Sequence, residues 1–301
     1  MNIKPTCSPK WARPDRAVVS ATVDALRRAA LARLSAHDDS PALDARLLLE
    51  HVLEVNHSWL VMHGQDVVPP AARQRFDALV ERRAAGEPLA YIIGSVGFWT
   101  LELSVTPDVL IPRPDTETLV EAVLDEHDTA PRRLLDLGTG SGAIALALAA
   151  ERPAWAITAT DASPQALACA RSNAARLGLT RVEFALGPWF QAVGDGRFDI
   201  IVSNPPYIDA DDAHLGAPEL KHEPQAALVA PDNGLADLQH IVAAAPRHLS
   251  AGGCLYLEHG AEQGPAVRGM LRDWARVETI VDLGHNDRVT RAVRPDAVAC
   301  A

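Results

Sequence analysis

The chain has 301 residues, with 28 Lys and Arg against 39 Asp and Glu, a formal net charge of −11. Apolar residues make up 48% and charged residues 22%, ordinary globular usage that excludes wholesale disorder. The acidic balance argues against a large nucleic-acid footprint, which needs a Lys/Arg-rich face. The longest apolar run, Ala143 to Ala150, is far below the roughly 20 residues of a membrane span. No apolar h-region follows the N-terminus, so the expectation is a cytoplasmic chain with no membrane segment. Cys7, Cys169, Cys254 and Cys300 show neither C-x-x-C spacing nor clustered His partners, so no metal and no disulfide framework are expected.

A Pro-containing tail over 1–15 precedes a region of helical periodicity over 16–88. Val19, Val23, Leu26, Ala30 and Leu34 recur at three- and four-residue spacing. Ser40-Pro41 reads as an N-cap with a first-turn proline, opening a helix through Leu47, Leu48 and Val52. A short helix over Trp59 to Met62 follows. Another runs from about Ala71 to Ala85 and stops at Gly86. Residues 89–112 read as a hairpin linker, with arms at Ala90–Ile93 and Phe98–Val105.

From 113 to 301 strands and helices alternate. The strands read are Leu134–Leu137, Ile157–Asp161, Val182–Leu186, Asp199–Ser203, Cys254–Glu258, Glu278–Leu283 and Val289–Val293. Such βαβ alternation predicts an α/β fold: a seven-stranded, mostly parallel, Rossmann-like sheet with helices on both faces. The binding crevice belongs at the carboxyl ends of the strands.

Asp136-Leu137-Gly138-Thr139-Gly140-Ser141-Gly142 runs from a strand through a glycine turn into a helix, where missing Cβ atoms let a ligand approach the backbone. Asp161 ends the next strand, 23 residues after Gly138, where a carboxylate can accept both ribose hydroxyls. This pattern fits a nucleoside cofactor. Gly138, Gly140 and Ala143 also satisfy the loose G-x-G-x-x-A form of a dinucleotide site. Asp136 favours S-adenosylmethionine, whose α-ammonium wants a carboxylate where a pyrophosphate would be repelled. Asn204-Pro205-Pro206-Tyr207 then follows a strand. An amide or exocyclic amine is a poor nucleophile because its lone pair is delocalised. The Asn204 side-chain oxygen and the Pro205 carbonyl can accept its two N–H bonds, in a turn stiffened by prolines. Tyr207 offers a flat face to a planar target group. Asn204, Pro205 and Tyr207 are therefore the candidate catalytic residues.

The two motifs resemble class I S-adenosylmethionine methyltransferases that modify planar nitrogen. Phe98-Trp99, Ile111-Pro112-Arg113-Pro114-Asp115-Thr116-Glu117, Glu223-Pro224, Leu257-Glu258-His259-Gly260 and Asp287-Arg288-Val289 narrow the match. Over about residues 40 to 293 the chain is similar to the peptide chain release factor glutamine N5-methyltransferases. The resemblance implies cofactor contacts from Gly138, Thr139, Gly140, Ser141, Gly142, Asp161, Trp189 and Asn204. It implies glutamine contacts from Asn204, Pro205, Pro206 and Tyr207. It also implies a class 1 release factor as protein partner; the helical region is expected to help grip it, and the net charge of −11 argues against direct nucleic-acid binding. A sister enzyme acting on a ribosomal-protein glutamine and an N6-adenine methyltransferase share the four-residue motif. Members commonly carry an acid immediately before the Trp, whereas here Gly187-Pro188 precedes it. Arg113 can orient either the cofactor carboxylate or neighbouring acids. His259 and Glu258 read as structural, and the acids from Glu121 to Asp128 as a solvated helix face.

Overall fold

The structure, a computed structural model, describes residues 21–35 and 40–294. The tail expected over 1–15, Val19, Cys7 and Cys300 lie outside the described residues. The chain divides into two compact units, Met1–Ile93 and Gly94–Ala301.

In the first unit, α1 (Val23–Leu34) buries Val23, Leu26, Ala30 and Leu34, the stripe its spacing predicts. Thr22 caps it by accepting from the Ala25 N–H at 3.3 Å. Pro41 opens α2 (Pro41–Leu53), and α3 (His57–Met62) is capped by Asn56. Helix α4 (Pro70–Ala84) ends at Gly86, whose φ of +95° suits a residue without Cβ. These helices share one apolar core around Leu48, Leu49, Phe76 and Val80. A buried Arg83–Asp44 ion pair joins α4 to α2.

The stretch expected as the first hairpin arm is instead a helical turn, α5 (Leu89–Ile93), with Tyr91 and Ile92 buried. The hairpin is formed by β1 (Ser95–Phe98) and β2 (Leu101–Ser104), which lie in the second unit. The segment 89–112 thus divides between the two units. Trp99 turns the hairpin at φ +55°. Its backbone N–H donates to Glu117 Oε1 at 2.7 Å, and its indole N–H to Glu151 Oε1 at 2.9 Å.

The second unit carries β3 (Arg133–Leu137), β4 (Ala156–Asp161), β5 (Glu183–Leu186), β6 (Phe198–Ser203), β7 (Leu249–Glu258), β8 (Ala275–Val281) and β9 (Asp287–Val293). They form one seven-stranded sheet in the order β5-β4-β3-β6-β7-β9-β8. Neighbours from β5 to β7 are parallel, and β9 runs antiparallel to both β7 and β8. Strand β7 starts five residues earlier than its sequence signal, at Leu249. Strand β8 ends before Asp282, whose carboxylate instead ties the following turn by accepting from the Gly284 and Asn286 N–H groups.

Alternate strand residues face opposite layers. Leu134 and Ile200 pack under α6 (Glu117–Glu126), α7 (Ala143–Glu151) and α8 (Pro164–Arg176). Leu135 and Ile201 pack under α10 (Ala236–His248) and α11 (Gly264–Met270), which follow the single turn α9 (Pro231–Gly234). From β3 the chain winds out to β5 and then returns to place β6 beside β3. That reversal opens the crevice between the ends of β3 and β6.

Candidate active site

Strand register builds the site. Leu137 pairs with Ser203 on one side and Thr160 on the other. The next residues, Gly138, Asn204 and Asp161, therefore leave three adjacent strands at one level. Gly138 and Thr139 both donate backbone N–H bonds to the Thr160 carbonyl at 2.9 Å. Asp161 Oδ2 accepts from the Gly140 N–H at 2.9 Å and Oδ1 from the Ser163 N–H at 2.8 Å. One carboxylate thus ties the glycine turn to the start of α8.

A cavity of about 590 Å³ opens over this turn, a size typical of small-molecule sites. Gly138, Gly140, Asp161, Trp189, Asn204 and Pro206 line it. Thr139, Ser141 and Gly142 do not; they support the turn from behind. Thr139 donates its hydroxyl to Asp136 Oδ2 at 2.6 Å. The Ser141 carbonyl accepts from Asn173 Nδ2 at 2.9 Å. A Cβ on Gly142, at φ +87°, would stand 3.0 Å from Leu146 Cδ1. Asn173, fully buried, also accepts from the Ser104 N–H and donates to the Ser104 carbonyl. Trp189 is held at φ +49°, an unusual backbone for a bulky residue, and its carbonyl accepts from the Thr160 hydroxyl at 3.3 Å.

Asp136 is placed differently from the sequence expectation. It lies beneath the turn, fully buried and outside the cavity lining, with Oδ1 lacking a hydrogen-bond partner. Burial pushes its carboxyl up to about 7. The discrimination it was expected to make falls to the lining itself, which holds three carboxylates, Asp108, Asp161 and Asp237, and no Lys or Arg. Such a wall repels a pyrophosphate and suits a cationic nucleoside.

A second cavity of about 320 Å³ is lined by Arg113, Asp115, Asn204, Pro205 and Tyr207. Asn204 lines both cavities. Its Nδ2 donates to Thr116 Oγ1 at 3.1 Å, which leaves Oδ1 as the free end of the amide. Tyr207 donates its hydroxyl to Glu258 Oε1 at 3.2 Å, and burial raises the phenol far above its ordinary value. Gln263 Nε2 holds the Tyr207 carbonyl at 2.9 Å. Gly234 passes so close that a Cβ there would lie 2.0 Å from the same oxygen.

Glu258 is fully buried, and burial pushes its carboxyl up to about 7 against the opposing pull of Thr116, Arg288 and Tyr207. Arg288 grips Asp282 with two nitrogens, at 3.1 and 3.0 Å, and reaches Asp115 at 3.3 Å. Arg113 pairs with Glu223, whose Oε2 also accepts from the Ile111 N–H at 3.2 Å. Of its two expected roles, the structure shows the one toward acids. His259 is structural as expected: Nδ1–H donates to the Gly260 carbonyl at 2.9 Å, so Nε2 accepts from Thr290 at 2.8 Å. Burial lowers its pKa.

Sequence reasoning gave no role to Thr116, Glu223, Gly234, Gln263 or Arg288. Three of them stand in the segments that carried the family resemblance, which was the only signal available. Glu126 departs from the solvated helix face, for it pairs with Arg291 and accepts from the Tyr256 hydroxyl. Its ligand oxygen, His127 and Cys254 come within 4.8 Å of one another. Glu126 and His127 of that grouping are bonded to protein, since the Tyr256 hydroxyl also meets His127 Nε2 at 3.1 Å. Among the described residues no helix is long and apolar enough to cross a membrane.

Comparison with known proteins gives the same division. Residues 24–94 match the PrmC N-terminal domain and residues 114–223 the methyltransferase small domain. A release factor glutamine methyltransferase from Vibrio cholerae is 48% identical over 90% of this chain and 96% of its own. One from Pseudomonas aeruginosa is 50% identical over 84% of this chain and 93% of its own. A solved methyltransferase from Pyrococcus furiosus, at 20% identity and a TM-score of 0.50 over 65% of this chain and 89% of that one, shares the fold. With that identity over nearly its full length, and with both motifs seated on one crevice, the chain belongs to the release factor glutamine methyltransferase family.

Proposed function

We propose that this chain moves the methyl group of S-adenosylmethionine onto the side-chain amide nitrogen, N5, of the glutamine in the Gly-Gly-Gln loop of class 1 release factors. The observation that carries the reading is that Asn204 lines both cavities while its amide nitrogen is committed to Thr116. The larger cavity suits the cofactor. It combines a turn without Cβ atoms at Gly138 and Gly140, the Asp161 carboxylate, the Trp189 ring and a wall free of Lys and Arg.

When bound, S-adenosylmethionine supplies an electrophilic methyl on a sulfonium. The chain's own work is to present the nucleophile. Asn204 Oδ1 and the Pro205 carbonyl accept the two amide N–H bonds of the glutamine, which fixes its nitrogen with the lone pair turned toward the larger cavity. Tyr207 lies against the amide plane. Acceleration comes mainly from positioning, and the methylated nitrogen gives up its proton through Asn204 or water. The reading requires neither metal nor nucleic acid, and it sets the reaction in the cytoplasm with release factors. The helical unit then serves to grip the protein substrate.

The test is incubation of the full chain with labelled cofactor and a purified release factor, followed by mass spectrometry of the Gly-Gly-Gln peptide. The expected product carries one methyl on glutamine, and a factor with Glu in place of that Gln stays unmodified. A carboxylate would set its oxygens against two acceptors. Efficient methylation of duplex DNA or of short peptides, with the intact factor untouched, overturns the reading.

A further inference from the structure

The Asn-Pro-Pro-Tyr turn has little means of tying itself down. Pro205 and Pro206 have no N–H to donate and their rings fix φ, so the turn behaves as one stiff piece between its two ends. One end is held by the sheet, where Ser203 pairs with Leu137 and Leu257. What holds the other end decides where the Pro205 carbonyl points.

That end is Tyr207, and its carbonyl is taken by a side chain 56 positions away. Gln263 Nε2 donates to the Tyr207 carbonyl at 2.9 Å and to the Asn233 carbonyl at 3.2 Å. Gln263 Oε1 accepts from the Gly260 N–H at 2.9 Å, and the Gln263 backbone N–H donates to the Gly260 carbonyl at 2.9 Å. An amide can turn over only where its partners can exchange roles. Here they cannot, because a backbone N–H only donates and the two carbonyls only accept. The orientation of Gln263 is settled, and both N–H bonds of its amide are used. Local strain makes room for the contact. Asp232 and Asn233 stand at φ +56°, ahead of Gly234 at +78°, a left-handed run that residues with a Cβ rarely adopt. A Cβ on Gly234 would fall 2.0 Å from the Tyr207 oxygen and 2.9 Å from Gln263 Nε2. Glycine there lets the amide and the carbonyl meet.

We propose that Gln263 is a positioning residue: its amide clamps the exit of the turn, so that the Pro205 carbonyl and the Tyr207 ring meet the substrate amide in register. The inference rests on the function proposed above. It gives a task in the reaction to a residue that lies outside the segments carrying the family resemblance.

The experiment compares the full chain with its Gln263→Lys, Gln263→Met and Gln263→Glu variants. Lysine keeps a donor for the two carbonyls, methionine keeps bulk with no donor, and glutamate sets an acceptor against them. Three quantities are read where urea titration shows each chain folded: single-turnover methylation of an intact release factor, the S-adenosylhomocysteine dissociation constant, and the Tyr207 carbonyl signal in ¹³C NMR. The chain has only three tyrosines, so carbonyl-labelled tyrosine gives three signals, and Tyr207→Phe identifies its own by removing it. Methionine and glutamate should slow the single turnover about 100-fold, as when a reacting group is displaced by a change away from the chemistry. Lysine should stay within about tenfold of the parent, and every cofactor constant within about threefold, because the cofactor contacts are made elsewhere. The Tyr207 signal should move upfield in the methionine and glutamate variants, where its hydrogen bond is lost, and not in the lysine variant. Two folded variants suffice. A methionine variant with the parent rate, three variants equally slow, or a cofactor constant that weakens in step with the rate overturns the inference. So does failure of all three to fold, which would make Gln263 a scaffold residue. If the parent leaves release factors unmodified while the Tyr207 signal follows the donor series, the proposed substrate falls and the clamp on the turn stands.

Discussion

The two cavities that meet at Asn204 are built in opposite ways. The larger one rests on main chain: the turn after β3 is pinned by backbone N–H groups to Thr160 and Asp161, and side chains mostly stand behind it. The smaller one rests on side chains. Asn204 leans on Thr116, Tyr207 on Glu258 and Arg113 on Glu223, across 88, 51 and 110 positions of sequence. A main-chain cradle suits a cofactor that is the same in every turnover, because it constrains where Cβ atoms are missing rather than which side chains are present. A side-chain network suits the choice of one nitrogen, because each partner fixes the orientation of the next.

The sharpest way to separate the two is at the residue they share. Asn204→Ala should cost about 3 kcal/mol of transition-state stabilisation, typical of one preorganised polar group, far more than it weakens S-adenosylhomocysteine binding. Near-normal single-turnover rates would place the acceptor elsewhere.

Next comes the buried acid of the smaller cavity. Glu258 has its carboxyl raised from 4.5 to about 7, so between those values the folded chain holds a proton that the unfolded chain has released. Its contribution to stability is complete below about pH 4.5, declines as pH rises through 7, and is flat beyond. Glu258→Gln removes that decline, so between pH 5 and 8 the variant should lose roughly 2–3 kcal/mol less stability than the parent. Asp136, raised in the same direction, and His127 and His259, whose lowered values act in the opposite direction, remain in both chains. Urea titrations at the two pH values read the difference directly. Parallel profiles would mean that Glu258 is ionised throughout.

On the cofactor side, Asp161→Ala should weaken S-adenosylhomocysteine binding by about 2 kcal/mol, the worth of hydrogen bonds to a carboxylate. An unchanged dissociation constant by calorimetry would remove Asp161 from the site. The smallest effect is expected of Gly142→Ala, which forces a Cβ into a left-handed backbone against Leu146 and Ala170. A loss of about 1–2 kcal/mol should appear in denaturant unfolding. If it alters methylation more than stability, the separation drawn above between support and contact in the glycine turn is wrong.

How much of this could be read in the sequence follows from the same contrast. The glycine turn, Asp161 and the Asn-Pro-Pro-Tyr turn are contiguous or fall at fixed spacing, so they were legible, as were the helical stripes of the first unit. Asp136 was legible as an acid but not in its depth. The hairpin arm expected at Ala90–Ile93 reads as a strand because Tyr91, Ile92 and Ile93 favour β structure, yet it lies in the helical turn Leu89–Ile93. The Pro88 carbonyl accepts from Tyr91 and Ile92, and burial of Ile92 in the helical core overrides that propensity. The true first arm, Ser95–Phe98, is short and contains a glycine, a weak signal. Thr116, Glu223, Gln263 and Glu126 act through partners 50 or more positions away. No local pattern encodes such pairings, and only the fold brings them together.

Asn173 has a practical consequence for anyone who divides the chain. Its one amide serves both the hairpin, at Ser104, and the glycine turn, at Ser141. A cut placed before Gly94, where the two units part, keeps all three of those bonds. A cut after Ser104 strands a buried amide beside the glycine turn, at a cost of about 1–3 kcal/mol for each group left unpaired. The hairpin is thus the first piece of the second unit rather than a dispensable connector. Proteolytic trimming, domain exchange and split-protein fusions should all begin that unit at Gly94.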